Sequence, residues 1–198
     1  MSDIKLEVVV AHYRSHEFEL IRPLLPEAKF TVYDKSGIYI GDCRRVKNVG
    51  REGFVYLSHI VDNYESLADK TLFLQDDILN HRPGIFQFMV EMVNDRDEFH
   101  QYPCTWARNG QIYRRTVVDG FCDLHTLGDP NLIKRSCCEL GIKIPQEYTT
   151  ETCAFFSVTR ERIRARNAEF YATLKEWVVR SESNEFALEH MWKIIFGS

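Results

Sequence analysis

No stretch of the sequence is long and apolar enough to cross a bilayer, and the opening Met1-Ser2-Asp3-Ile4-Lys5 lacks the basic-then-apolar order of a secretory leader. These absences predict a soluble, cytoplasmic chain without a membrane span. Six cysteines are present, yet no two stand in a Cys-x-x-Cys pair, so neither a zinc knuckle nor a disulfide frame is indicated and reduced, mostly buried thiols are expected. Also missing are Gly-x-x-x-x-Gly-Lys-Ser/Thr, Gly-x-Gly-x-x-Gly and Gly-x-Ser-x-Gly, which removes the usual support for P-loop, dinucleotide-binding and α/β-hydrolase functions. No internal repeat, low-complexity tract or linker divides the chain. Positive charge is in deficit, 25 Lys plus Arg against 29 Asp plus Glu for a net −4, which argues against a protein that coats nucleic acid. Any anion bound here must meet a local basic patch.

What is present fits one α/β domain spanning 1–198. The chain is 198 residues long, 44% apolar and 27% charged, which excludes disorder, collagen and coiled coil as the overall state. Residues 4–10 turn from alternating to solidly β-branched, as a strand entering a parallel sheet does, and short similar runs recur at 29–33, 71–75 and 154–158. Between them Phe54, Leu57, Val61 and Tyr64 recur at helical spacing, as do Ile85, Met89 and Met92. Ile163, Phe170, Leu174 and Trp177 predict one long helix opened by Thr159, and 184–196 a last helix. This rhythm predicts a mostly parallel central sheet flanked by helices. Residues 99–150, broken by Pro103, Gly110, Gly120, Gly128, Pro130 and Gly141, read as a long functional loop system.

Three segments carry chemistry. In Thr71-Leu72-Phe73-Leu74-Gln75-Asp76-Asp77 a strand runs into two adjacent carboxylates, at the end of a strand where open α/β sheets bind ligands. Their mutual repulsion is relieved by a divalent cation, and hard oxygen ligands favour Mg²⁺ or Mn²⁺ over zinc. A helix cap or a solvated turn would use the same residues at about even odds. In Asn48-Val49-Gly50-Arg51-Glu52-Gly53 the glycines flank an arginine at a helix start, a phosphate or ribose contact, though the wider run Lys35, Arg44, Arg45, Lys47, Arg51 equally describes a solvated basic face. The exits of the first two strands, His12-Tyr13 and Tyr33-Asp34-Lys35, offer a ring to stack and a carboxylate to accept hydrogen bonds from a nucleoside, with a satisfied core histidine the commoner fate of a lone His12. Arg160, Arg162, Arg164 and Arg166 alternate, so they do not share one helix face.

Together with Ala154-Phe155-Phe156-Ser157-Val158, Arg160-Glu161-Arg162-Ile163 and Ala187-Leu188-Glu189-His190-Met191-Trp192, these blocks resemble an uncharacterised glycosyltransferase-like family common in fungi. They are similar, too, to the small GT-A glycosyltransferase domains that large algal viruses use for capsid glycosylation. The likeness spans nearly the whole chain. It implies a GT-A (Rossmann-like) fold, a nucleotide-diphosphate sugar donor, most simply a UDP-sugar, a glycan or glycoprotein acceptor, and Mn²⁺ or Mg²⁺ on an Asp-x-Asp type motif. For a viral chain the compartment would be the host cytoplasm. By position it assigns His12, Tyr13, Asp34, Arg51, Gln75 and Asp76 to the donor, within a nucleotide-sugar half at 1–98 and an acceptor half at 99–198. Gln75 departs from the motif, which leaves Asp77 the direct metal ligand and turns Asp76 toward ribose or sugar.

An inverting transfer needs a base, for which Glu189 and Glu151 are the candidates, with His190 a further metal contact and Asp119, Asp123 or Asp129 the fallback. Trp106, Tyr113 and His125 would shape the acceptor side. Two other classes use the same residues: a metal-dependent phosphoester or nucleotide-sugar hydrolase built on Asp76, Asp77 and His81, and a non-catalytic nucleotide-sugar binding module hinted at by Gln75.

Overall fold

The computed structural model describes residues 5–81, 95–103, 114–122, 129–151 and 154–197, with the side chain of His81 excepted. In chain order the elements are β1 (Leu6–His12), a 3-10 segment (Glu17–Leu24), β2 (Lys29–Asp34), β3 (Arg44–Arg45), α1 (Arg51–Asp62), β4 (Lys70–Gln75), α2 (Ile78–His81), β5 (Phe99–Gln101), β6 (Arg114–Val118), α3 (Leu132–Glu139), β7 (Glu147–Glu151), β8 (Phe156–Thr159), α4 (Arg160–Arg164), α5 (Ala168–Val178) and α6 (Glu182–Phe196). Among the described residues six strands form one sheet in the order β3-β2-β1-β4-β8-β5. The β3, β2, β1 and β4 neighbours run parallel, with Val10 beside both Val32 and Leu74, while β8 lies antiparallel between β4 and β5. A mixed α/β architecture with a mostly parallel sheet is therefore present, and it draws strands from both halves of the chain. β6 and β7 pair separately in a two-stranded antiparallel sheet.

Period-two alternation sorts β1 between two cores. Val8 and Val10 face Phe18, Ile21, Leu72, Leu74 and Phe155, beneath the 3-10 segment. Val9 and Ala11 face the larger cluster of Tyr56, Phe73, Phe156, Trp177, Trp192 and Phe196, roofed by α1, α5 and α6. Val8, Val9 and Val10 are all fully buried, which explains why the pattern turns solidly apolar there. Each such side chain contributes about 1.5–3 kcal/mol through burial.

The structure departs from the sequence expectation in two places. The single long helix after the fourth strand is two helices: Thr159 caps α4 by accepting from Arg162 N–H at 3.3 Å, and Asn167 opens α5 by accepting from Phe170 N–H at 2.9 Å. A second cap inside an apolar stripe restarts the helix. Residues 99–150 are also more than loops, since they hold β5, β6, α3 and β7. The expected helix through Ile85, Met89 and Met92 lies outside the described residues. The arginines of 160–166 serve packing: Arg162 and Arg166 donate to the carbonyls of Phe196 and Ile195 at the end of α6, and Arg164 to that of Tyr64.

Candidate functional site

The chain leaves β1 toward β2 on one side, and β4 lies on the other, so the carboxyl ends of β1 and β4 open a crevice at the point where strand order reverses. A cleft of about 360 Å³ occupies it. Its floor is the exit of β4, Gln75, Asp76 and Asp77, facing Ala11 and Tyr13 from β1. Its wall is Lys35 with Asn48 to Glu52 at the start of α1, and Glu185 of α6 closes the far side. Six of the expected residues are thus placed by four elements, β1, β2, β4 and α1. Tyr13, Arg51, Gln75, Asp76 and Asp77 line the cleft, and Lys35 of the basic run joins them.

Asp76 is nearly buried, and its Oδ2 accepts the backbone N–H groups of Tyr13, Arg14 and Ser15, each at 2.7 Å. It fixes the shape of the β1 exit and has that oxygen committed to the protein. Asp77 is half-buried beside it. Asp34, expected at a ribose, is buried off the cleft, where its carboxylate takes Ser36 N–H and Oγ–H, Gly37 N–H, Tyr39 N–H and His12 Nδ1–H, with Arg45 at 2.8 Å. Burial alone would raise its pKa, but these hydrogen bonds, led by Ser36 and His12, hold the carboxyl well below the usual range. His12 is likewise fully buried, among His16, Phe18 and Tyr39.

At the wall, Gly50 (φ 61°) and Arg51 (φ 46°) are successive left-handed residues. A non-glycine in that region persists where its surroundings dictate it, and Lys35 Nζ donates to the Arg51 carbonyl at 2.6 Å. The Arg51 guanidinium lies over the Phe186 ring at 4.7 Å and stays 44% exposed, able to reach a ligand. Burial pulls Lys35 below the ordinary lysine range and pushes Glu185 above the usual glutamate value, against the attraction of Arg51 and a hydrogen bond from Gly50 N–H. Sequence reading passed over Glu185. Its only signal is a place one helical turn before Glu189.

The two candidate bases lie along the same edge of the sheet, outside the cleft lining. Gln101 Nε2 donates to the Glu151 carbonyl at 2.7 Å and approaches the Glu189 carbonyl at 3.4 Å. Gln101 pairs with Phe156, which pairs with Phe73, so Gln101 stands two strand spacings, about 10 Å, from Phe73, two residues before the end of β4. Glu151 is buried with Arg114 on Oε1 at 2.7 Å, and Oε2 has no hydrogen-bond partner among the described residues. His190 is buried away from the cleft, with Nδ1 unpartnered among the described residues, and burial lowers its pKa to about 4. Burial favours the neutral imidazole, and His190, expected as a further metal contact, is not among the residues that line the cleft. Asp119 sits in a turn at φ 50° and Asp129 pairs with Arg135. Trp106, Tyr113, Asp123 and His125 lie outside the described residues.

Among the described residues, one trio of His, Asp or Glu side chains clusters closely enough to hold an ion, Asp95, Asp97 and His100, at the start of β5 on the edge opposite the cleft. The cleft itself presents half-buried Asp77 with Asp76 half-committed, a donor set that suits Mg²⁺ or Mn²⁺ carried with a diphosphate better than a cage of protein ligands. Of the described cysteines, Cys43, Cys122, Cys137 and Cys138 are free, and Cys122 and Cys137 are buried. No helix among the described residues is long and apolar enough to cross a membrane. No curated protein matches the chain. A family model does match, over residues 8–198, and by it the chain belongs to the family described as "Protein of unknown function (DUF3431)".

Proposed function

We propose that this chain is a GT-A type glycosyltransferase that moves a sugar from a nucleotide-diphosphate donor, a UDP-sugar in the simplest case, to a hydroxyl of a glycan or glycoprotein. One observation carries the reading: Gln75-Asp76-Asp77, Arg51 and the start of α1, which the sequence holds apart, converge on one cleft at the reversal of strand order. Asp77 would hold a divalent cation together with the donor's phosphates, and Gln75 beside it would contact the donor. When bound, that cation offsets negative charge on the diphosphate leaving group. Arg51 and Lys35 bring two further positive charges to the same wall, and the Arg51 fork suits a phosphate or ribose. Tyr13, 39% exposed, offers its ring to a base. Asp76 keeps the β1 exit open for it. Glu189 and Glu151, whose backbone carbonyls both meet Gln101, would supply the base of an inverting transfer.

A thermal-shift titration of UDP with Mn²⁺ tests this. Ligand at about a hundred times its Kd should raise the melting temperature by roughly 5–10 °C. The rise should need the metal and vanish in Asp77→Ala; an unchanged shift in that variant removes the metal assignment. UDP release that requires an added acceptor separates transfer from hydrolysis, and binding without turnover would leave a nucleotide-sugar module.

A further inference from the structure

The loop joining β2 to β3, Ser36 to Cys43, lies beyond the cleft wall and takes no part in the proposed transfer. Its backbone is pinned from inside. Asp34 receives Ser36, Gly37 and Tyr39, and the Tyr39 ring turns inward, its hydroxyl donating to Glu19 Oε1 at 2.5 Å. Gly41 packs so closely on that ring that a Cβ would lie 2.6 Å from it. With Tyr39 anchored inward, its neighbours on either side point out: Ile38 is 58% exposed and Ile40 97% exposed. Single exposed aliphatics are ordinary, but two held outward on one rigid tip are a presented surface.

Asp42 and Glu19 lie beside Ile40, and the chain that follows the tip is basic. Residues 34–52 carry Lys35, Arg44, Arg45, Lys47 and Arg51 against Asp34, Asp42 and Glu52, a net +2 in a chain whose total is −4, and Arg45 stays 55% exposed while paired with Asp34. Arg44, Arg45 and Lys47 follow the tip directly and are exposed. Two isoleucines on a convex tip offer at most a few hundred Å², far below the roughly 1,200 Å² of a stable protein interface. A bilayer asks for less: a few inserted aliphatics and a basic rim on anionic headgroups suffice for peripheral attachment.

We propose that the β2–β3 loop is a membrane-docking tip, with Ile38 and Ile40 entering an anionic lipid surface and Lys47, Arg44 and Arg45 meeting its phosphates. Because Lys35 and residues 48–51 flank the tip in sequence and line the cleft, docking holds the cleft mouth beside the bilayer.

The test is sedimentation of the whole protein with phosphatidylcholine vesicles, with and without about 30 mol% phosphatidylserine. Wild type should pellet with the anionic vesicles only, and should be released as salt rises from about 0.1 M to about 1 M. Ile38→Ser/Ile40→Ser should weaken partitioning about tenfold or more with its melting temperature unchanged, and Lys47→Ser a few-fold. Val118→Ser, at a 45% exposed valine on β6, should bind as wild type does. The proposal is overturned if wild type stays in the supernatant, or if the double variant pellets equally. It is overturned also if self-association without vesicle binding is what the double variant abolishes, since the tip then meets a second copy of the chain.

Discussion

Asp76 and Asp34 are both buried carboxylates at strand exits, and each gathers backbone N–H groups of a neighbouring turn. A carboxylate that receives several N–H groups is stable out of water and makes the turn it holds rigid. The sequence marked both as unusual residues, since packing gives no reason for charge at the end of a buried strand. Their partners were illegible: Tyr13, Arg14 and Ser15 stand more than sixty positions before Asp76, and no local pattern encodes that meeting. His190 was legible only as a histidine near an acid. Burial lowers its pKa to about 4 from an ordinary value near 6.5, so between those values the unfolded chain binds a proton that the folded one does not. Stability must therefore fall as pH drops from about 6.5 toward 4, and His59, lowered to about 4 by its own burial, adds to the fall. Urea unfolding at pH 7 and pH 4.5 should show His190→Gln losing less stability than wild type, by roughly 1–3 kcal/mol. Parallel losses in the two proteins would mean that His190 takes up its proton equally in the folded and unfolded states.

Among the elements, α1 depends on how its first turn is entered. At Gly50 the backbone is left-handed at φ 61°, and a Cβ would lie 2.6 Å from Phe54 Cβ and 3.1 Å from Val179. Gly141, also left-handed at φ 65°, has nothing within 4 Å of its Cβ position. Gly141→Ala should cost about 1 kcal/mol through backbone strain alone, and Gly50→Ala about 2 kcal/mol or more, read as the difference in urea midpoints. Equal losses would show that α1 shifts to accommodate the methyl group. The strands on the apolar runs and α1 were readable because burial on the sheet imposes a strong period. β6 (Arg-Arg-Thr-Val-Val) and β7 (Glu-Tyr-Thr-Thr-Glu) were not, because each buries only one or two side chains and leaves its polar face outward. The α4–α5 break was missed for another reason: Asn167 caps a helix inside an apolar spacing that reads as continuous.

At the scale of the molecule, β1 and β4 are the centre. Each is paired on both edges, and both cores close over them. Their amides should exchange hydrogen only through global unfolding, whereas two-residue β3 at the sheet edge should exchange at least about a hundredfold faster; mass spectrometry of exchange in proteolytic peptides checks this. Uniform protection would place the stability elsewhere. The antiparallel seat of β8 between β4 and β5 has a consequence for synthesis. β4 ends at residue 75 and its outer partner begins at residue 156, so about eighty residues must be translated before that edge closes. At roughly 5–20 residues per second the nascent chain carries an open strand edge, with Phe73 uncovered, for several seconds. In the finished sheet β8 covers that edge of β4, so its exposure to mispairing and to chaperone capture belongs to that interval on the ribosome.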